Sequence, residues 1–234
     1  MQSDATARPV VRAEGLGRRF GRMWALAHLD LRIEAGEVLM LAGANGSGKT
    51  TLLRLLAGLD RPTAGELQVF GEDPRRDPLG CRRRLTMVSH HAFLYERLTA
   101  LEMLRFWSQG AGRAADRGHL VDLLREVDLD RAADQQVGTF SAGMRKRLTL
   151  LRTRVESPEL VLWDEPFSAL DSAGRRLLSD WVRSFRRSGV SLLLATHDIE
   201  LGAELCPRAL VLSRGQLRWT GSSAEVVDAV ERHR

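Results

Sequence analysis

Gly43-Ala44-Asn45-Gly46-Ser47-Gly48-Lys49-Thr50 decides how the rest of this 234-residue chain is read. It has Gly, four residues, then Gly-Lys-Thr, the pattern of a phosphate-binding loop. Ahead of it, Glu37-Val-Leu-Met-Leu-Ala42 is a short apolar run that reads as a buried strand. Behind it, Thr51-Leu-Leu-Arg-Leu-Leu-Ala57 reads as a helix closed by Gly58. Strand, glycine loop, helix is the context the motif requires. The residue types follow from the chemistry. Glycines let successive backbone N–H groups turn toward phosphate oxygens without Cβ clashes, and the helix N-terminus favours an anion. Lys49 is placed to neutralise outer phosphates, and the Thr50 hydroxyl to bind Mg²⁺. Gly43 through Thr51 are therefore the first candidate binding residues.

Two acidic and one imidazole side chain fall where such a loop needs them. Leu160-Val-Leu-Trp163 is an apolar strand that ends in Asp164-Glu165. Ligand crevices in open α/β sheets lie at the carboxyl ends of strands. Asp164 is expected to hold the metal, and Glu165 to orient and polarise an attacking water. Val190–Thr196 is a second buried strand that ends in His197, placed to donate to a γ-phosphate oxygen. Ser168-Ala169-Leu170-Asp171 reads as a tight loop before a helix over 172–187. Ser141 reads as the N-cap of a helix through about Val155. Phe20 lies between the first strands, where it either stacks on a purine or fills the core.

The remaining segments set the architecture. Val10–Ala13, Leu29–Ile33 and Glu66–Phe70 read as an antiparallel sheet beside the nucleotide, after a loose leader over 1–9. Thr99-Ala-Leu-Glu102 and Ser222-Ser-Ala-Glu225 read as capping boxes that start helices. Another helix is expected over 114–127. Residues 91–155 are mostly helical between strand-rich stretches, as an inserted subdomain would be. Strands alternating with helices imply a largely parallel sheet, so the fold class is α/β.

Composition narrows the partners. The net charge of +5, carried mostly by Arg, permits an anionic partner but equally describes a solvated surface. Cys81 and Cys206 are too few for a disulfide framework or metal site. No apolar run approaches the roughly 18 residues that span a bilayer, and the N-terminus does not read as a signal peptide. Work at a membrane therefore requires another chain as anchor.

Taken together these residues resemble the nucleotide-binding subunit of ATP-binding-cassette (ABC) transporters over nearly the whole chain. Gly43–Thr50 matches the Walker A loop, and Leu160–Asp164 the Walker B strand with Glu165 at the catalytic glutamate position. Ser168–Asp171 resembles the D-loop, His197 the switch histidine, and Phe20 the adenine-stacking aromatic. Phe140-Ser141-Ala142-Gly143-Met144 stands where the family has Leu-Ser-Gly-Gly-Gln, and His91 where it has the Q-loop glutamine, a Mg²⁺ or water contact.

The resemblance implies a P-loop NTPase fold, that is, a RecA-like parallel sheet with an antiparallel β subdomain and an inserted helical subdomain in one domain over 10–234. It implies ATP and Mg²⁺, hydrolysis with Lys49, Glu165 and His197 as catalytic residues, and a head-to-tail pair with a second copy or a homologous ATPase. In that pair the Ser141–Met144 helix start and Asp171 face the partner's nucleotide. It also implies integral membrane permeases as partners, with the chain held peripherally at the cytoplasmic face of the membrane.

Some residues depart from the family pattern. Met144 cannot hydrogen-bond as glutamine would, and Ala142 lacks glycine's backbone freedom. A neutral His91 could stand in for glutamine but a protonated one could not, so activity is expected to fall below about pH 6.5. Val88–Trp107 and the Phe140–Met144 motif are similar to the subgroup assigned to haem export in cytochrome c maturation, with apolar Phe93, Leu94 and Tyr95 set to receive a membrane subunit. The alternatives are a soluble ABC ATPase without a channel, such as an iron–sulfur assembly scaffold, and an ABC motor exporting another substrate. A nucleic-acid role is disfavoured, since that class carries a long coiled-coil insertion or two cassettes and this chain has neither.

Overall fold

The computed structural model describes residues 9–89 and 94–233. Two sheets organise it. In the smaller, β1 (Val11–Phe20) lies between β2 (Met23–Ile33) and β4 (Ala64–Val69), all antiparallel. The larger sheet has six strands in the order β5-β6-β7-β3-β8-β9. These are β3 (Val38–Ala42), β5 (Leu85–Val88), β6 (Leu160–Asp164), β7 (Ser191–Ala195), β8 (Arg208–Ser213) and β9 (Gln216–Ser222). Every pairing is parallel except β8 with β9. The helices are α1 (Lys49–Leu56), α2 (Pro78–Arg84), α3 (Ala100–Gly110), α4 (Arg117–Glu126), α5 (Ala142–Glu156), α6 (Ser172–Ser188), α7 (Ile199–Leu205) and α8 (Val226–Arg232).

A parallel strand covered on both faces is apolar throughout, and β6 shows it. Leu160, Val161, Leu162 and Trp163 are all fully buried. The pleat sends them alternately to two cores. Leu160 and Leu162 join the cluster with β1, β2 and α1, while Val161 and Trp163 join the cluster with α3 to α6. Each such side chain removed from water contributes roughly 1.5–3 kcal/mol. The register matters for the site. Ala195 of β7 pairs with Asp164 on one side and Leu41 on the other, so β6, β7 and β3 end at one level. The segments that follow these strands emerge together at the carboxyl rim.

The helical segment between β5 and β6 is anchored by its caps. Thr99 and Glu102 form the expected capping box, with both reciprocal bonds present. Helix α4, capped by Asp116, begins three residues inside the anticipated start, and Ser141 caps α5. Such caps contribute about 1 kcal/mol each. Between α4 and α5 lie two short 3-10 turns, at 130–132 and 137–139.

The structure corrects several boundaries. The first two strands run far beyond Ala13 and start well before Leu29, because β1 and β2 continue through bulges and a left-handed His28 (φ 49°) to a hairpin at residues 20–23. The second expected capping box does not start a helix. Ser222 accepts from the Ala224 N–H, a 3-10 turn occupies 223–225, and α8 begins only at Val226. His90, His91, Ala92 and Phe93 lie outside the described residues.

Candidate functional site

The loop after β3 closes because its glycines allow it. Gly43 has φ 154°, and a Cβ there would sit 2.3 Å from the Leu212 carbonyl oxygen. Gly48 has φ 110° and would meet the Ala25 carbonyl at 2.6 Å. Any other residue would strain the turn and push the backbone away. Ala25, Asn45, Gly46, Ser47, Gly48, Lys49, Thr50 and Thr51 line a crevice of about 200 Å³ together with Asp164 and Glu165. Gly43, Ala44 and His197 line a second cavity with the end of β8.

Inside the loop, Lys49 is only 6% exposed. Its ammonium donates to the carbonyls of Gly43 (2.6 Å) and Ala44 (3.2 Å). Burial lowers its pKa, and the carboxylates of Glu165 and Asp164 pull the other way. The Thr50 hydroxyl donates to Asp164 Oδ2 at 2.7 Å, which ties the helix start to the end of β6. Ser47 Oγ is buried with no hydrogen-bond partner among the described residues. A buried hydroxyl without a partner among the described residues and a buried cation suit an anion rich in oxygen acceptors. Thr50 and Asp164 are hard oxygen donors, the type that Mg²⁺ takes. Among the described residues no cluster of three or more His, Cys, Asp or Glu side chains could hold a metal alone. A cation here would complete its shell with water and phosphate.

Glu165 turns the chain out of the sheet. Its φ is 51°, the left-handed region that side chains other than glycine seldom enter. Its N–H still donates to the Ala195 carbonyl at 2.9 Å, so the residue remains tied to β7. Its carboxylate Oε2 lies 2.8 Å from His197 Nδ1. The His197 ring is 70% exposed, two residues beyond the end of β7 rather than on it. The structure therefore brings Lys49, Thr50, Asp164, Glu165 and His197 to one rim.

It does not bring the signature residues there. Ser141 and Ala142 are exposed at the start of α5, Gly143 and Met144 are half-buried with Met144 packed against the core, and none of the four lines the crevice. Ser141 Oγ accepts from the Met144 N–H at 3.2 Å. A Cβ on Gly143 would find no atom of its own chain nearer than 3.9 Å, so packing within the chain does not demand glycine there. Asp171 caps α6 by accepting from the Gly174 N–H and also accepts from Arg147 at 2.7 Å. Those two bonds, the backbone one first, lower its pKa. Phe20 is half exposed, which removes the core alternative, and the Arg18 guanidinium stacks 4.5 Å from its ring centroid. Arg18 in turn donates to the Arg61 carbonyl. Leu94 packs against the core, while Tyr95 is 58% exposed and meets Phe106 edge-on at 5.3 Å. His91, expected at the metal, lies outside the described residues.

One residue at the site escaped the sequence reading. Lys146 of α5 is 8% exposed and donates to the Glu165 carbonyl at 2.9 Å. A signal was present. Lys146, Thr149 and Thr153 recur at helical spacing, and all three are buried on the face turned to the sheet.

Comparison with known proteins places this geometry. A family model described as ABC transporter matches residues 26–168. The sulfate/thiosulfate import ATP-binding protein CysA 2 of Rhizobium meliloti (strain 1021) is 36% identical over 225 residues, 93% of this chain and 61% of that protein. Its counterpart in Methylococcus capsulatus is 35% identical over 93% of this chain and 64% of its own length. The chain thus spans less than two thirds of the length of these relatives. Among solved structures, an ATP-binding subunit of an ABC transporter superposes with a TM-score of 0.88 at 25% identity, covering 96% of this chain and 94% of its own. A dimeric ATP-binding cassette in a post-hydrolysis state with ADP and Pi gives 0.81 at 25% identity, covering 91% and 98%. The relatives carry sulfate/thiosulfate import names, so the haem-export subgroup expected from Val88–Trp107 is not supported.

Proposed function

The chain belongs to the ABC transporter family, and from that premise we propose that it is the ATP-hydrolysing motor of a membrane transporter, working as a pair of cassettes. The observation that carries the reading is the closure of the phosphate loop onto the strand end. The 2.7 Å bond from Thr50 to Asp164 puts a hydroxyl, a carboxylate, the buried Lys49 and Glu165 around one crevice. In this reading Lys49 neutralises the outer phosphates and the loop N–H groups hold their oxygens. Thr50 and Asp164 hold Mg²⁺, joined by His91, and the ion when bound offsets phosphate charge. Glu165 orients the attacking water and takes its proton, and His197 fixes the carboxylate it touches.

The crevice of about 200 Å³ is smaller than the roughly 300–1,000 Å³ of sites that enclose a ligand by themselves. It is half a site. The exposed Ser141 helix start, with a glycine that its own chain does not require, supports a second cassette as the other half. Phe20, backed by Arg18, is the base platform. Residues 10–234 act as one domain, with 91–155 as its inserted helical part. No helix among the described residues is long and apolar enough to cross a membrane, so permease partners hold the motor at the cytoplasmic face. No residue of the site selects cargo. The relatives' names favour import of sulfate or thiosulfate over haem export.

The test is Mg²⁺-ATP turnover. Wild type should release phosphate, whereas Glu165→Gln should bind ATP but turn over at least about a hundredfold more slowly. Lys49→Met should lose ATP affinity by about tenfold or more, near 1.4 kcal/mol. Equal turnover in wild type and Glu165→Gln would sink the assignment of the base.

A further inference from the structure

Three donors converge on one carbonyl oxygen. The Glu165 C=O accepts from Lys146 Nζ at 2.9 Å, from Ser168 Oγ at 2.8 Å and from the Ser168 N–H at 3.3 Å. A carbonyl has two lone pairs, so this peptide is held more heavily than its secondary structure needs. The same residue has its φ at 51°, a conformation that persists only where the surroundings over-determine it. Lys146 is the one donor of the three that comes from another element. It is buried deep enough that its pKa is pushed down to about 8, with Asp164 and Glu165 pulling it back. It keeps its proton at neutral pH and spends it on a backbone oxygen rather than on a carboxylate. Two further polar contacts join α5 to the sheet. Trp163 Nε1 donates to Thr153 Oγ1 at 3.1 Å, and the Thr86 hydroxyl donates to Glu156 at 2.6 Å. Helix α5 is therefore pinned along β6 and β5, with its cap, Ser141, free at the surface.

We propose that Lys146 is a positioning residue that clamps the Glu165 peptide to α5, so that Glu165 at this chain's nucleotide is aligned only while the Ser141 end of the helix sits on the partner's. The coupling rests on the paired-motor reading above; the clamp rests on the geometry alone. One helix then links two sites. Its first turn addresses the partner's phosphates, and its second turn holds the peptide whose side chain acts on the chain's own. Arg147, the next residue, reaches Asp171 at 2.7 Å and ties the same turn of α5 to the loop after Glu165.

The experiment compares Lys146→Met and Lys146→Arg in the full chain by two measurements. The first is amide hydrogen exchange over residues 165–170 without nucleotide. Lys146→Met should exchange about tenfold faster or more, and Lys146→Arg should stay near wild type. The second is steady-state Mg²⁺-ATP hydrolysis. Lys146→Met should lower kcat by about tenfold to a hundredfold with KM within about twofold, and the Hill coefficient should fall toward one. Lys146→Arg should recover most of both. Unchanged exchange in Lys146→Met overturns the clamp. A fall in kcat matched by a rise in KM and a lower melting temperature overturns it too, since that is lost packing. Loosened exchange in a chain whose wild type does not hydrolyse ATP overturns the coupling and the motor reading, while the clamp itself stands.

Discussion

Lys146 shows how a single buried charge can act against stability while serving the site. Its folded pKa of about 8 lies below the ordinary lysine value of 10.5. Between those values the unfolded chain binds more protons than the folded one, so stability rises with pH across that window. Below about pH 8 both states are protonated, and the folded state carries the full desolvation penalty. Methionine has similar bulk without the charge. Lys146→Met should therefore melt a few degrees higher than wild type at pH 7, and the difference should shrink as pH rises from 8 toward 10. Calorimetry at three pH values checks this; a variant less stable than wild type at pH 7 would contradict it. Lys146 and Arg18 also mark where sequence reading stops at this scale. Gly43 through Thr50 announce themselves because all their chemistry is local to one turn. Lys146 and Glu165 are 19 residues apart and meet only after α5 packs on the sheet.

At the scale of elements, α5 has two separable roles, and its first turn allows them to be tested apart. Ser141 caps the helix, so Ser141→Ala should lower stability by about 1 kcal/mol, or roughly 2–4 °C in a domain of this size. A Cβ on Gly143 would make only ordinary contacts within the chain, 3.9 Å from the Ala169 carbonyl oxygen and 4.0 Å from Ser141 Oγ. Gly143→Glu should therefore leave the melting temperature unchanged or slightly raised, because glycine inside a helix costs about 0.5–1 kcal/mol. The same change should abolish ATP-dependent pairing; pairing that survives would remove this turn from the interface. The parallel strands were legible because full burial on both faces leaves an unbroken apolar run such as Leu160–Trp163. The outer ends of β1 and β2 were not. Residues 14–28 carry glycines, arginines and three register shifts, and their hydrogen bonds come from pairing across a bulged hairpin rather than from periodicity. The Ser222–Glu225 pattern misled for a related reason. It has the residues of a capping box, but the Ser222 hydroxyl bonds two residues on and closes a 3-10 turn.

For the whole molecule, the proposed motor function and the exposed aromatic pair Tyr95–Phe106 lead to one expectation in cells. The chain should fractionate with membranes when its permease is co-expressed and not otherwise. Membrane association without a permease would contradict the account of how the motor is held. Everything else depends on pairing, because each chain offers a loop crevice at one place and a Ser141 helix start at another. The most direct measurement is sedimentation velocity of Glu165→Gln with and without Mg²⁺-ATP. The expected result is a monomer without nucleotide and a dimer of about twice the 26.1 kDa chain mass with it, dispersed again by EDTA. A Glu165→Gln protein that binds ATP yet stays monomeric would contradict the paired site.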